Sequence, residues 1–161
     1  MPNHNHSRLE LHLPDEAASS ALGARLARVI TPGLSLYLHG DLGSGKTTLA
    51  RGLLRGLGYQ GRVKSPTYAL VELYTISRLN LYHFDFYRFR DPKEWRDAGL
   101  SEYFNEASVC LVEWPEKAGG LLPGADLDIT LEFAGEGRDL SVRAGTETGK
   151  ACLLRLMQLP P

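Results

Sequence analysis

The stretch GDLGSGKT, from Gly40 to Thr47, decides the fold of this 161-residue chain. It satisfies the pattern G-x-x-x-x-G-K-[ST] and lies in the context that this pattern requires. A short apolar run, residues 34–39, precedes it, and a leucine-rich stretch, residues 46–57, follows it with a glycine at its end. Strand, glycine-rich loop and helix in this order form a P-loop. We therefore predict an α/β fold built around this loop.

Phosphate binding requires each residue type in the loop for a physical reason. Glycines let backbone N–H groups converge on phosphate oxygens, and the first turn of the following helix adds its unpaired N–H groups and its dipole. The Lys46 ammonium is expected to reach the β- and γ-phosphates, while the Thr47 hydroxyl takes one ligand position of Mg²⁺. The loop is therefore predicted to bind ATP with Mg²⁺. The predicted nucleotide-binding residues are Asp41, Leu42, Gly43, Ser44, Gly45, Lys46, Thr47 and Thr48.

The rest of the chain alternates between strand and helix patterns. A strand is predicted at residues 9–13, and a helix with Asp15 as its N-cap follows it. Further strands are expected at residues 69–74, 79–84 and 109–112, short helical pieces at 92–104 and an amphipathic stretch at 150–159. Residues 126–133 and 140–144 alternate apolar and polar around a turn with glycines, which predicts an antiparallel hairpin.

Length and composition indicate one domain. A chain of 161 residues with 43% hydrophobic and 23% charged residues matches an ordinary globular domain. We expect residues 1–8 to form a flexible tail and residues 9–161 to form a single P-loop NTPase-like domain. Its mixed, mostly parallel sheet would be flanked by helices, with the antiparallel hairpin near the C-terminus.

Charge and cysteine usage restrict the partners and the compartment. A formal net charge of -1 provides no global positive field for tRNA or DNA, so nucleic acid is expected to be contacted only indirectly. The sequence shows no signal peptide and no run of apolar residues long enough to span a membrane. Cys110 and Cys152 form no CxxC motif, which favours a reducing cytoplasm.

An acidic partner for Mg²⁺ is expected at a strand end beside the loop. Glu113 follows the apolar run 109–112, so its carboxylate is predicted to emerge where ligands of open α/β sheets gather. A plain charged residue at a strand end is the alternative. Asp85 ends another apolar run, and it could orient water, contact Mg²⁺ or pair with Arg88.

Other residues have both a structural and a functional interpretation. The segment Ser65-Pro66-Thr67 lies where many P-loop proteins place a hydroxyl that senses the γ-phosphate, yet by itself it is a turn. His83 in an apolar strand favours a core histidine over a base, and Trp114 favours packing. Arg138, on the hairpin turn, is a candidate for the base or ribose region.

Four motifs together resemble the TsaE (YjeE) family: GDLGSGKTT at 40–48, SPTY at 65–68, HFDFYR at 83–88 and EWPE at 113–116. Their order and spacing match across residues 9–144. Tyr68 stands where phenylalanine is usual in the family and Phe86 where leucine is usual, and neither change removes a polar group. This resemblance implies a small bacterial ATPase of the pathway that makes threonylcarbamoyladenosine in tRNA.

The resemblance also implies roles for residues and partners. The ATPase would act on the complex of the TsaD and TsaB proteins, releasing ADP. Lys46 and Thr47 would bind phosphate and Mg²⁺, Glu113 would bind the metal, and Asp85 would serve hydrolysis. Ser65, Pro66 and Thr67 would form a switch segment, and Trp114 would be a functional tryptophan instead of a packing residue.

Two rival functions use the same loop. A small-molecule kinase would transfer the γ-phosphate to a metabolite, but no segment has the pattern of an arginine-bearing lid. A nucleotide-dependent binding module would hardly hydrolyse ATP. A GTPase is disfavoured because the sequence has no Asn-Lys-x-Asp motif. Without an evident arginine finger, we expect a slow intrinsic ATPase that partner proteins stimulate.

Overall fold

The structure is a computed structural model that describes residues 7–64, 66, 69–76 and 79–160. The strands are β1 (Arg8–Leu13), β2 (Ser35–His39), β3 (Val71–Ile76), β4 (Leu79–Asp85), β5 (Ser108–Glu113), β6 (Leu127–Ala134) and β7 (Gly137–Ala144). The α-helices are α1 (Glu16–Ala27), α2 (Lys46–Gly56), α3 (Lys93–Asp97) and α4 (Glu147–Gln158). Leu100–Tyr103 forms a short 3₁₀ helix, and Pro115–Leu121 forms a 3₁₀ segment that is kinked at Gly119.

Within the described residues, the strands form a single sheet of order β1-β7-β6-β2-β5-β4-β3. β2 is parallel to both of its neighbours, β5 and β6, and β5 is parallel to β4. β3 and β7 run in the opposite direction, since β3 is antiparallel to β4 and β7 is antiparallel to β6 and β1. The other five strands of the described sheet run in one direction, so the predicted mixed, mostly parallel sheet is confirmed. The predicted hairpin is confirmed as β6–β7.

Alternate side chains of the central strands enter two different cores, as the two-residue period of a strand requires. Leu36 and Leu38 of β2 pack in a core that also takes the buried faces of α1, α2 and α4. Tyr37, between them, packs in a second core rich in aromatic residues, together with Trp95 of α3. Helices therefore cover both faces of the sheet and hold β2 at its centre.

Close contact between α1 and α2 fixes the position of α2 in the fold. A Cβ atom on Gly52 would lie 2.3 Å from the Ser20 carbonyl oxygen, and one on Gly23 would lie 2.5 Å from the Leu49 carbonyl oxygen. Only glycine fits at both positions, because the two helix backbones touch there. The N-terminus of α2, which follows the glycine-rich loop, is thereby held against the core.

The element boundaries agree with the sequence predictions to within a few residues. β1 begins at Arg8, so this residue belongs to the sheet and not to the predicted N-terminal tail, and residues 1–6 lie outside the described part. Asp15 caps α1 as predicted, since its carboxylate accepts a hydrogen bond of 2.8 Å from the Ala18 amide. Among the described residues, no helix has the length and hydropathy of a membrane span.

Candidate functional site

The loop between β2 and α2 exposes a helix N-terminus that no side chain caps among the described residues. Gly45 occupies the N-cap position with φ of 103°, in the left-handed region that favours glycine. The first turn of α2 carries no acidic residue. Free amide groups and the positive end of the helix dipole are therefore available to an anion, the arrangement found at phosphate sites.

Lys46, the first residue of α2, is almost completely buried, with 5% of its surface exposed. Its ammonium group donates a hydrogen bond to the Gly40 carbonyl oxygen and lies 3.9 Å from the centroid of the Trp114 ring. Burial lowers the pKa of Lys46, while the carboxylates of Glu113 and Asp85 act in the opposite direction. A poorly hydrated cation of this kind gains strongly from contact with a phosphate oxygen.

Ser44 adds a buried polar group to the loop. Its hydroxyl oxygen has no hydrogen-bond partner among the described residues. A Cβ atom on Gly40 would lie 2.5 Å from this hydroxyl and 2.8 Å from the Leu131 carbonyl oxygen, so the start of the loop lies directly against β6. A buried hydroxyl without a partner is uncommon, and a bound oxyanion would satisfy it.

The parallel register brings two carboxylates to the strand ends beside the loop. Leu38 of β2 is paired with Glu113 of β5, and Glu113 is paired with Asp85 of β4. Both acids are buried, with 3% and 5% of their surfaces exposed. The Asp85 carboxylate also accepts a hydrogen bond of 2.9 Å from the Tyr87 amide. Both predicted acids thus lie at the carboxyl edge of the sheet.

Glu113 is held by His83, which the sequence analysis assigned to the core. The His83 Nε2 atom lies 2.6 Å from Glu113 Oε2, and the His83 side chain is fully buried. His83 Nδ1 has no partner among the described residues. The imidazole is therefore both a core side chain and the hydrogen-bond partner of the acid.

Trp114 immediately follows Glu113 and adopts a left-handed backbone conformation with φ of 58°. Left-handed residues other than glycine are uncommon and concentrate at functional sites. The Trp114 ring packs against Tyr87 with a centroid distance of 5.0 Å and faces the Lys46 ammonium. The sharp turn after β5 therefore places an aromatic ring on the cation of the loop.

Residues of the loop, the two acids and Trp114 line one cavity of about 430 Å³. Its walls include the loop, both acids, the turn after β4, the start of α1 and the hairpin turn. The lining residues of the sequence-predicted set are Leu42, Gly43, Ser44, Gly45, Lys46, Thr47, Thr48, Asp85, Glu113, Trp114 and Arg138. A volume of this size suits a small-molecule ligand.

The family model described as "Threonylcarbamoyl adenosine biosynthesis protein TsaE" matches residues 13–140. The chain belongs to the TsaE family. This match runs from the last residue of β1 to the middle of β7 and includes the loop, both acids and Trp114. The resemblance noted in the four sequence motifs is confirmed.

Relatives of the TsaE family are similar over most of this chain. "tRNA threonylcarbamoyladenosine biosynthesis protein TsaE" of Haemophilus influenzae is 44% identical over 147 residues, covering 88% of this chain and 93% of the relative. The Bacillus subtilis protein of the same description is 42% identical over 123 residues, covering 76% and 75%. A crystal structure of Bacillus subtilis YdiB matches with a TM-score of 0.82 and 32% identity, covering 94% of this chain and 95% of that one.

The predicted switch segment of this TsaE-family chain is only partly described. Ser65 and Thr67 lie outside the described residues, so their predicted role stays a prediction. Pro66 is buried, and its carbonyl oxygen accepts a hydrogen bond of 2.8 Å from the Leu70 amide. The Leu70 carbonyl oxygen in turn accepts one of 3.0 Å from the Asp85 amide. Pro66 is therefore linked through Leu70 to the end of β4.

Several cavity residues were not predicted from the sequence. Tyr87 and Arg88 line the cavity, and their position in the motif HFDFYR next to Asp85 was the available signal. Leu13, Glu16 and Ser19 also line it, but no sequence pattern pointed to them. They reach the cavity because the end of β1 and the start of α1 lie beside the hairpin turn.

Proposed function

We propose that this protein binds ATP with Mg²⁺ on the loop 40–47 and hydrolyses it slowly to ADP and phosphate. It acts in the cytoplasm on the complex of the TsaD and TsaB proteins, and it serves the threonylcarbamoyladenosine modification of tRNA adenosine. It meets tRNA only through that complex and no membrane is involved. Residues 9–161 constitute the ATPase domain.

One observation carries the nucleotide-binding part of this proposal. An uncapped helix N-terminus, a buried ammonium group and a buried serine hydroxyl without a described partner converge on the same cavity. Each of the three gains from an oxyanion, and together they match the charge and the donor pattern of a phosphate chain. Residues 41–48 are the nucleotide-binding residues of the proposal.

The residues around the loop also fit a magnesium ion. Thr47 supplies a hydroxyl oxygen and Glu113 a carboxylate oxygen, the hard ligands that Mg²⁺ prefers, and both line the cavity. Bound Mg²⁺ would neutralise charge on the phosphate oxygens. His83 keeps the Glu113 carboxylate in place through the 2.6 Å hydrogen bond, and Asp85 is the candidate for orienting water.

The arrangement of Lys46 supports slow hydrolysis by the protein alone, and the relatives support the pathway. In this structure the Lys46 ammonium is engaged by the Gly40 carbonyl oxygen and the Trp114 ring, so the loop must exchange these contacts for phosphate. The relatives are described as biosynthesis proteins of tRNA threonylcarbamoyladenosine, which fits a role inside that pathway. We assign Ser65 to Thr67 and Trp114 to the segment that responds to nucleotide and partners.

Phosphate release measured with and without TsaD and TsaB tests this proposal. We expect slow release by the protein alone, clear stimulation by the two partners, and loss of both rates in Lys46→Ala. Equal rates with and without partners would contradict the partner-dependent role. Labelled γ-phosphate that appears on a metabolite instead of in water would favour the rival small-molecule kinase.

A further inference from the structure

Arg138, the second residue of β7, makes a set of contacts that the proposed nucleotide chemistry does not use. Its Nε atom donates a hydrogen bond of 3.0 Å to the Ser44 carbonyl oxygen, and its Nη2 atom donates one of 3.1 Å to the Gly43 carbonyl oxygen. The guanidinium group therefore joins the hairpin turn to the middle of the loop by two parallel contacts, although the residues are 94 and 95 positions apart.

The guanidinium group is itself fixed on the hairpin side. Its Nη1 atom donates to the carbonyl oxygens of Gly137, at 2.8 Å, and Glu136, at 3.3 Å. Its Cζ atom lies 4.5 Å from the centroid of the Phe133 ring, which is a cation–π contact. Arg138 thus uses its planar fork on four carbonyl groups and an aromatic face, a role that lysine cannot reproduce.

The hairpin turn that carries Arg138 is anchored to the rest of the sheet. A Cβ atom on Gly137 would lie 2.5 Å from the Leu13 carbonyl oxygen, so β7 touches the end of β1 at this point. The loop is anchored from the other side, because a Cβ on Gly40 would meet the Leu131 carbonyl oxygen of β6. Arg138 therefore connects the loop, which lies against β6, to a hairpin turn that lies against β1.

These contacts set the orientation of two peptide groups in the loop. The Gly43 carbonyl shares a peptide with the Ser44 amide, and the Ser44 carbonyl shares one with the Gly45 amide. In a trans peptide the C=O and N–H bonds point in opposite directions. Holding both carbonyls toward Arg138 therefore turns both amides away from it and restrains the rotation of the two peptides.

We propose that Arg138 is a positioning residue that holds the phosphate-binding loop in the shape it needs for nucleotide, through the carbonyl oxygens of Gly43 and Ser44. The C-terminal hairpin is then part of the nucleotide-binding apparatus. The expected effect of Arg138 on nucleotide affinity rests on the proposed function, whereas its expected effect on the loop of the nucleotide-free protein does not.

Hydrogen–deuterium exchange of the nucleotide-free protein tests the positioning directly. In Arg138→Ala, we expect amide exchange in a peptide covering residues 40–46 to accelerate roughly tenfold, the factor that corresponds to about one net hydrogen bond from a charged donor. Exchange in the centre of β5 should stay the same. Unchanged exchange in the loop would overturn the proposal whether or not the protein binds ATP.

Matched variants separate positioning from simple attraction of the anion. Arg138→Lys keeps the charge but loses the two-point contact, so its loop should exchange nearly as fast as that of Arg138→Ala. Arg143→Ala is the control, because this residue is exposed near the other end of the same strand. It should leave loop exchange at the wild-type rate. If Arg138→Ala fails to fold, Arg138→Lys alone carries the test.

Calorimetric titration with ADP and Mg²⁺, which measures the Kd, is the second test of the proposal. Both Arg138 variants are expected to raise the Kd roughly tenfold, and Arg143→Ala should change it less than about twofold. A lysine variant with wild-type affinity would overturn the proposal, since charge alone would then account for the effect. Absence of ADP binding by the wild-type protein would contradict the proposed function and leave the exchange measurement valid.

Discussion

Replacing His83 by leucine should destabilise the fold through Glu113. Both side chains are buried, and the Nε2–Oε2 distance is 2.6 Å. Removing one partner of a buried pair leaves the other without compensation and costs about 3–5 kcal/mol. Because Glu113 borders a cavity that admits water, we expect a value near the lower end, about 3 kcal/mol.

A double-mutant cycle isolates the contribution of the pair. Glu113→Leu alone leaves His83 buried with Nδ1 and Nε2 both unsatisfied, whereas the double variant replaces the pair by apolar groups. Urea unfolding of the four proteins should give a coupling energy of about 2 kcal/mol between the two positions. Each single variant should also melt about 6–12 °C lower, given a domain of this size.

A small coupling energy between positions 83 and 113 would contradict this prediction. A coupling energy below about 0.5 kcal/mol, the range of independent sites, would show that the two side chains do not stabilise each other. Tyr82→Phe is a useful control, since this residue lies in the same strand and packs in the aromatic core. It should show no coupling with Glu113→Leu.

Three further outcomes are expected. Glu113→Gln keeps a hydrogen-bonding group next to His83 but removes the charge. Magnesium-dependent hydrolysis should therefore fall on the order of 100-fold, while the Kd for ATP changes less than about threefold. Unchanged turnover in a phosphate-release assay would show that Glu113 is not part of the site. In a Trp95→Phe variant, Trp114 is the remaining tryptophan. Its fluorescence should change when ATP and Mg²⁺ bind, because the Lys46 ammonium then leaves the Trp114 ring for phosphate. An unaltered emission spectrum at saturating ATP would contradict this contact. Burial raises the pKa of the Cys110 thiol from its ordinary 9.0 to about 12, so from about pH 9 the unfolded chain releases a proton that the folded chain keeps. The unfolding free energy should therefore decrease by up to about 1.4 kcal/mol per pH unit above that point. Cys110→Ala should reduce this slope in urea titrations, and an unchanged slope would exclude the thiol as a contributor to it.

Local chemistry accounts for what the sequence predicted correctly. Asp15 caps α1 because an aspartate at the N-cap position can accept a hydrogen bond from the backbone amide three residues later. This interaction is local and does not depend on the rest of the fold. The loop was recognisable because glycines, lysine and threonine at fixed spacing are needed to bind phosphate. The apolar run before Glu113 predicted a buried strand, and β5 is buried along its whole length.

The features that the sequence did not predict depend on distant parts of the chain. The hydrogen bond between His83 and Glu113 exists because β4 and β5 pair in one parallel register, and neither strand contains a sign of that register. Arg138 reaches the loop because β7 lies next to β6 and β6 next to β2. The 3₁₀ helix Pro115–Leu121 was missed as well, since the packing of Pro115 and Ala118 in the aromatic core, and not a helical sequence period, stabilises it.

Calorimetric titration of the protein with ATP and Mg²⁺, repeated with Lys46→Ala, tests nucleotide binding most directly. Because Lys46 supplies the buried cation of the loop, we expect saturable heat from the wild-type protein and none from the variant, whose fold is checked by circular dichroism. No heat from the wild-type protein, or the same heat from the variant, would contradict the account.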